Sequence, residues 1–165
     1  MPTRPAVLAC ALLLVAAGCS TSECKPYAVG SGVPAFVGTY ACQQTAAAET
    51  CTGWQLCEGP TTLQITSVGT KLLIVKTDCM GYYYEYEGTV CEPDTTTQGY
   101  FSFYGRRNLT EPQDDPVAFY NLNGQITVGA AKNTARGTIS LTISPRGGKA
   151  CVMMGQLTCE CVDCT

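Results

Sequence analysis

The sequence contains no histidine and little charge, and both shortages narrow the chemistry that the protein can perform. Its 165 residues include 13 Asp and Glu, 10 Lys and Arg and no His. Without an imidazole there is no His-based catalytic triad, no His-ligated metal and no imidazole general base. The net charge is −3 and there is no run of Lys or Arg. The sequence therefore has no basic patch of the kind that binds nucleic acid.

The apolar segment near the amino terminus is too short for a comfortable transmembrane helix, which needs about 20 residues. Ala6–Ala17 is a run of twelve apolar residues preceded by Arg4 and followed by Gly18. A weakly positive start, a short apolar run and small residues are typical of a secretory signal. The sequence therefore predicts export from the cytoplasm.

The four residues Ala16-Ala17-Gly18-Cys19 resemble the lipobox of bacterial lipoproteins, although that family most often has Leu in the first position. The resemblance implies cleavage before Cys19 and the attachment of acyl chains such as palmitate to its thiol and new amino group. Ser20 is similar to the residue that permits export to the outer membrane in enteric bacteria. The alternative is a plain signal peptide that is cut elsewhere, with Cys19 as an ordinary cysteine.

The lipobox resemblance divides the chain into three parts. Residues 1–18 would be the signal peptide, residues 19–34 a lipid-anchored tether and residues 35–165 a β-domain. The tether is small, polar and punctuated by Gly and Pro, as expected of a linker. Several acyl chains would hold the protein durably on a membrane of the bacterial envelope.

Cysteine is abundant, with 12 residues. Loss of Cys10 with the signal peptide and acylation of Cys19 leave an even set, which in an exported protein indicates disulfides. The ten are Cys24, Cys42, Cys51, Cys57, Cys79, Cys91, Cys151, Cys159, Cys161 and Cys164. Their spacing leaves the connectivity open, although Cys159 and Cys161 are expected to have different partners. The alternative for the C-terminal cysteines is soft-metal binding or thiol exchange.

From Phe36 onward the pattern predicts an all-β domain of about eight strands. Lys71–Thr77 is predicted to pair with Thr62–Ser67 in a hairpin, and Arg136–Ser144 alternates cleanly, with Ile139, Leu141 and Ile143 inward. The other predicted strands are Phe36–Cys42, Gly81–Cys91, Gly99–Tyr104, Val117–Leu122, Gln125–Val128 and Lys149–Cys159. Mostly local connections favour a disulfide-rich, antiparallel up-and-down barrel over the alternative, a β-sandwich.

Two local predictions accompany these strands. Asn123-Gly124 between two apolar segments is a strong hairpin signal. Thr45–Thr50 is expected to form one helical turn within a long first loop. The segment Gly38-Thr39-Tyr40 resembles lipocalin-like and avidin-like barrels, which usually have Gly-x-Trp there. That resemblance implies a cup open at one end, with the first loop near its opening.

Aromatic residues supply the candidate ligand-binding positions. Tyr82, Tyr84 and Tyr86 are predicted to share one strand face, with Phe101 and Phe103 on a neighbouring strand. Such a face either stacks a ligand or fills the core. Trp54 lies in the first loop between two cysteines and is either a lid, a partner contact or a packing residue.

The remaining candidates are carboxylates, which we interpret as solvated. Glu85 and Glu87 point the same way from one strand, unlike the opposed pair of a glycosidase. The acidic segment Glu111–Pro116 lacks a calcium-binding repeat. The sequence indicates no catalytic residue, cofactor or metal site.

Together these patterns predict a non-enzymatic lipoprotein of the bacterial cell envelope that binds a small ligand, a glycan or a protein. Nucleic acid is not an expected partner. The membrane would be a further partner through the anchor at Cys19. One alternative is a structural or protective surface protein without a pocket. The other is an enzyme that works without histidine, which needs polar groups converging in one cleft.

Overall fold

The computed structural model describes residues 24–30, 33–48, 51, 55–68, 71–93 and 99–164. Eight antiparallel strands form one closed barrel, in which each strand pairs with the next and the last pairs with the first. The strands are β1 (Gly38–Ala48), β2 (Gly59–Val68), β3 (Lys71–Thr77), β4 (Tyr83–Val90), β5 (Tyr100–Asn108), β6 (Val117–Thr127), β7 (Thr134–Ser144) and β8 (Cys151–Cys164). The closed barrel confirms the predicted fold and excludes the sandwich.

Alternation of side chains between the two faces of each strand builds the barrel core. In β7, Ile139, Leu141 and Ile143 are buried as predicted, while the residues between them face outward. The largest apolar side chains with almost no exposure fill the interior: Tyr40, Phe36, Leu63, Ile65, Ile74, Leu122, Ile126, Ile139, Leu141 and Met153. The barrel is therefore a packed core along most of its length.

The connections divide the barrel into two ends. We call the end that carries the β2–β3, β4–β5 and β6–β7 connections the base, and the end that carries the other four connections the mouth. In the described part of the chain, no helix is long and apolar enough to cross a membrane.

Aromatic rings close the base. Phe36, just before β1, is 1% exposed, and its ring lies 5.0 Å from that of Tyr27 and 4.7 Å from that of Phe101. The Tyr40 hydroxyl donates a hydrogen bond of 2.7 Å to the Phe36 carbonyl. A buried hydroxyl without a hydrogen bond would destabilise the fold. The bond to the carbonyl satisfies the hydroxyl and fixes the turn that carries Phe36 into the barrel.

Residues 24–30, which the sequence places in the tether, lie against the base. Cys24 forms a disulfide with Cys91, and the Tyr27 amide donates to the Val90 carbonyl at 2.8 Å. Lys25 forms an exposed ion pair of 2.6 Å with Glu92. The chain is therefore attached to the end of β4 from Cys24 onward.

All ten predicted cysteines are paired. The five disulfides join Cys24 to Cys91, Cys42 to Cys159, Cys51 to Cys151, Cys57 to Cys79, and Cys161 to Cys164. Cys159 and Cys161 have different partners, as expected for alternate residues of one strand. Since each of these sulfurs is bonded to another sulfur, none of them is a thiolate that could bind a soft metal in this structure, while thiol exchange stays an untested alternative.

The predicted hairpin at Asn123-Gly124 is wrong. Strand β6 runs through both residues, and Gly124 pairs with Gly137 of β7 and Phe103 of β5. A Cβ atom at Gly124 would overlap the Phe103 ring and the Arg136 carbonyl. Gly124 therefore provides space for a core aromatic side chain, and the Asn-Gly pair has no turn to form.

The predicted helical turn at Thr45–Thr50 is also wrong, because β1 continues to Ala48. Its pairing with β8 extends past two irregularities in register, between Thr39 and Tyr40 and between Ala46 and Ala48. The longer strand places Gln44 inside the barrel, where it is 2% exposed.

Candidate functional site

Polar side chains replace the apolar core directly below the mouth. We call this cluster the mouth pocket and define it by six residues: Gln44 of β1, Lys76 of β3, Asp78 after β3, Tyr84 and Tyr86 of β4, and Tyr120 of β6. They come from four strands around the barrel, so the site exists only once the barrel has closed.

Lys76 is the most unusual member of the mouth pocket. Alternation along β3 places it on the inward face with Ile74, and its side chain is 1% exposed. The ion pairs of the described residues join Lys25 to Glu92 and Lys132 to Glu160. The Lys76 ammonium therefore has no ion-pair partner within the described part of the chain, although a buried charge is normally paired.

Asp78, the nearest acid in the chain, is engaged by the turn between β3 and β4. Its Oδ1 accepts hydrogen bonds from the amides of Met80 at 2.9 Å and Tyr82 at 2.8 Å. These bonds engage one oxygen of the carboxylate, which also has a side-chain hydrogen bond with Tyr84. Asp78 forms no contact ion pair with Lys76 among the described residues, although its charge favours the ammonium form.

Two further polar atoms of the mouth pocket are buried without a hydrogen-bond partner in the described residues: the Tyr86 hydroxyl and Oε1 of Gln44. Tyr86 is 3% exposed. The Gln44 amide is held from its other end, because its Nε2 donates to the Cys57 carbonyl at 2.7 Å. An unsatisfied buried polar atom costs about 1–3 kcal/mol, so these atoms need a partner in the pocket.

Burial dominates the electrostatics of the pocket. It lowers the pKa of Lys76 to about 8, while the Asp78 charge acts in the opposite direction. Burial raises the pKa of Tyr120 to about 12 and also raises the pKa of Tyr86 and of Tyr84. The Tyr84 and Tyr120 rings meet edge to face with their centroids 5.5 Å apart. All three tyrosines are thus neutral hydrogen-bonding groups at physiological pH.

The space enclosed by these residues is small. The cavity offers about 20 Å³ to the centre of a water-sized sphere, which accommodates one or two waters or the head of a ligand. An open groove of about 500 Å³ lies beside it, between the end of β1 and the β3–β4 turn. Gln55, Cys57 and Met80 line both spaces. The groove is in the size range of small-molecule sites.

The structure separates the aromatic residues that the sequence grouped on one face. Tyr84 and Tyr86 line the mouth pocket, whereas Phe101 packs at the base and Phe103 is buried at 3% exposure. Tyr82 precedes β4 and is 60% exposed, so its predicted place on the strand face is wrong. Only two of the five candidate aromatics therefore share a site.

Other predicted positions fall outside this site or outside the described residues. Cys19 and Trp54 are not among the described residues, although Gln55, the next residue after Trp54, lines the mouth pocket. Glu85 and Glu87 are exposed on the outer wall, as interpreted from the sequence. Within the described ranges, no group of three or more His, Cys, Asp or Glu residues is placed to hold a metal ion.

Sequence reasoning missed Lys76, Gln44 and Tyr120. The signal for Lys76 was present, because the inward face of Lys71–Thr77 that holds Leu72 and Ile74 also holds Lys76. Gln44 was assigned to the predicted first loop instead of a strand. Tyr120 lay within the predicted strand Val117–Leu122, but no local pattern indicated that it would meet Tyr84.

Comparison with known proteins gives no relative from which a function can be transferred. No family model, no curated protein and no solved structure matches the chain.

Proposed function

We propose that the protein is a lipid-anchored binding module of the bacterial cell envelope that takes a small ligand at the mouth of its barrel. The observation that carries this proposal is the convergence of three buried polar groups on one cavity: the Tyr86 hydroxyl and Gln44 Oε1, which have no hydrogen-bond partner among the described residues, and the Lys76 ammonium, which has no ion pair there. Buried groups of this kind lower stability unless something binds to them. A ligand that satisfies them recovers that loss as binding free energy.

The interior argues for binding at the mouth over carriage of a ligand inside the barrel. Side chains such as Leu63, Ile74 and Leu122 are almost completely buried and occupy the axis below the mouth pocket. A small molecule therefore meets the pocket with one polar end, while the rest of it lies in the groove beside Leu56 and Met80.

The anchor part of the proposal rests on the lipobox-like Ala16-Ala17-Gly18-Cys19 and on the oxidised cysteines, since disulfides persist outside the cytoplasm. If Cys19 carries acyl chains, the five residues to Cys24 reach at most about 18 Å. Cys24 is fastened at the base. The base then faces the membrane, and the mouth faces away from it.

A ligand screen tests the binding function. The full mature chain would be titrated with a library of metabolites of fewer than about 15 non-hydrogen atoms, with Trp54 as the only tryptophan to report on the first loop. We expect at least one class to change Trp54 fluorescence and to raise the melting temperature. The Tyr86→Phe variant should weaken that response, and Tyr83→Phe, on the exposed outer wall, should not.

The absence of any response across the library would instead support the structural or protective alternative. The anchor is tested separately by the intact mass of membrane-extracted protein. We expect acyl chains on a chain that begins at Cys19, and their loss in Cys19→Ser. An unacylated wild-type chain would contradict the anchor without affecting the pocket.

A further inference from the structure

We infer that the ligand of the mouth pocket presents a carboxylate to Lys76 and Tyr86, so that the protein selects small carboxylic acids over their uncharged analogues. This inference rests on the proposed function, because it names the chemical class that the same pocket takes. It depends on the sign of the field in the pocket, on its donors and on its size.

The positive charges around the pocket have fewer hydrogen-bond and ion-pair partners among the described residues than its carboxylate has. Lys76 lies inside the barrel without an ion pair, and Arg107 near the end of β5 acts electrostatically on both Tyr84 and Tyr86. Asp78 is the acid of the inner pocket, and its Oδ1 already accepts two backbone hydrogen bonds. Glu58 lines the outer groove, where its Oε1 accepts from the Ala46 amide at 2.8 Å.

The donors fit a carboxylate. The Lys76 ammonium offers up to three N–H donors, and the unpartnered Tyr86 hydroxyl offers a fourth. A carboxylate has two acceptor oxygens that can face both groups, and charge-assisted hydrogen bonds of this kind are roughly twice as strong as neutral ones. Gln44 Oε1 accepts only, so it favours a donor next to the carboxylate or a bridging water.

The size of the pocket limits this recognition to the head of the ligand. A cavity of about 20 Å³ accommodates a group of about one or two water molecules in size, so only a small polar head fits inside it. The groove beyond Gln55 and Met80 would hold an apolar or mixed remainder.

The test compares three probes of equal chain length: butanoate, butanamide and 1-butanol. NMR titration of the full acylated chain in nanodiscs at pH 7 would follow the signals of Lys76 and Tyr86. We expect butanoate to shift both signals with an affinity at least tenfold higher than that of the amide or the alcohol. In Lys76→Met this preference should disappear, while in Lys149→Met, an exposed control position, it should remain.

Acidity adds a second readout that a structural role of Lys76 would not move. Groups that face Lys76 are Asp78 beside it, Tyr84 and Tyr86 on β4, and Tyr120 on β6, with Gln44 uncharged on β1. The tyrosine pKa values are raised, so Lys76 is the group expected to lose a proton between pH 7 and 9. Butanoate affinity should fall about tenfold over that range, with proton uptake on binding at pH 9.

The outcomes separate the inference from the proposed function. If butanamide or butanol binds at the mouth as tightly as butanoate, the carboxylate inference is wrong and the binding function stands. If butanoate binds equally well to Lys76→Met, the inference is also wrong. If none of the three probes shifts Lys76 or Tyr86, the inference is overturned, and the ligand screen alone decides the proposed function.

Discussion

Lys76 and Tyr84 face each other across β3 and β4, and both side chains enter the polar end of the barrel. The pair places a flexible ammonium beside a neutral phenol, with Asp78 acting on both. A buried ammonium without an ion pair among the described residues lowers the stability of the barrel.

Replacing Lys76 by Met should therefore stabilise the protein. The substitution keeps the unbranched stem that packs against the core and removes the buried charge, so we expect the free energy of unfolding to increase by about 1–3 kcal/mol at pH 7. Chemical denaturation with the disulfides intact measures this change. Lys149→Met at an exposed position should leave stability within about 0.5 kcal/mol of wild type. A large loss of stability in Lys76→Met would mean that the ammonium has a stabilising partner.

The pH dependence of stability should carry the same signature. Burial lowers the pKa of Lys76 from 10.5 in the unfolded chain to about 8 in the barrel, so between these values the unfolded state binds more protons. Stability should therefore rise with pH over this window, by about 1.4 kcal/mol per unit at most. Lys76→Met should show no such rise between pH 8 and 9.5.

Above pH 10 the buried tyrosines act in the opposite direction. The pKa values of Tyr40 and Tyr120 are raised from 10.0 to about 12, so the folded barrel keeps protons that the unfolded chain releases. Stability should fall as pH rises from 10 towards 12, and the wild-type maximum should lie near pH 10. Urea midpoints measured at half-unit steps would locate it, and a maximum near pH 7 would contradict the assignment.

The sequence was most informative where alternation was regular. Strand β3 matches its predicted bounds, and the inward face of β7 was identified residue by residue. The same rule applied to Lys76 predicts a buried lysine, which ordinary expectations about charge argue against. The mouth pocket was missed because its polar members occupy positions where an apolar residue would be the usual choice.

Local turn chemistry failed where the barrel imposed a different requirement. Asn123-Gly124 has the composition of a two-residue turn, yet β6 needs Gly124 as a site without a side chain beside Phe103. A local pattern cannot reveal that a ring from the neighbouring strand occupies this space. For the same reason, the pairing of the ten cysteines could not be obtained from their spacing.

Gly124→Ala tests this explanation of β6. A methyl group would overlap both the Phe103 ring and the Arg136 carbonyl, and the backbone atom cannot move without disturbing the β6–β7 pairing. We expect a loss of about 1–3 kcal/mol, measured by urea denaturation. Gly30→Ala is the matched control, because a Cβ there would meet nothing within 4 Å. Equal stability of the two variants would show that the barrel accommodates the methyl group.

The disulfides should differ in their contribution to stability according to the length of the loop that each one closes. Cys42–Cys159 spans 117 residues and joins β1 to β8 at the closure of the barrel, whereas Cys161–Cys164 spans 3. Loop entropy predicts a loss of about 4–5 kcal/mol for Cys42→Ala with Cys159→Ala, and about 1.5 kcal/mol for Cys161→Ala with Cys164→Ala. Guanidinium denaturation of the two double variants compares them. Similar losses would mean that loop length does not control these bridges.

The attachment of Cys24 to Cys91 makes the proposed orientation at the membrane testable without a mutation in the barrel. In nanodiscs that contain lipids with nitroxide headgroups, paramagnetic broadening falls steeply with distance. If the proposed anchor at Cys19 is present, the five residues to Cys24 keep the base near the lipid, so the amide signals of Gly99 and Asn133 should broaden more than those of Met80 and Arg146 at the mouth. The Cys19→Ser chain, without an anchor, should show neither effect. Stronger broadening at Met80 and Arg146 would place the mouth at the membrane and remove the argument that the pocket faces outward.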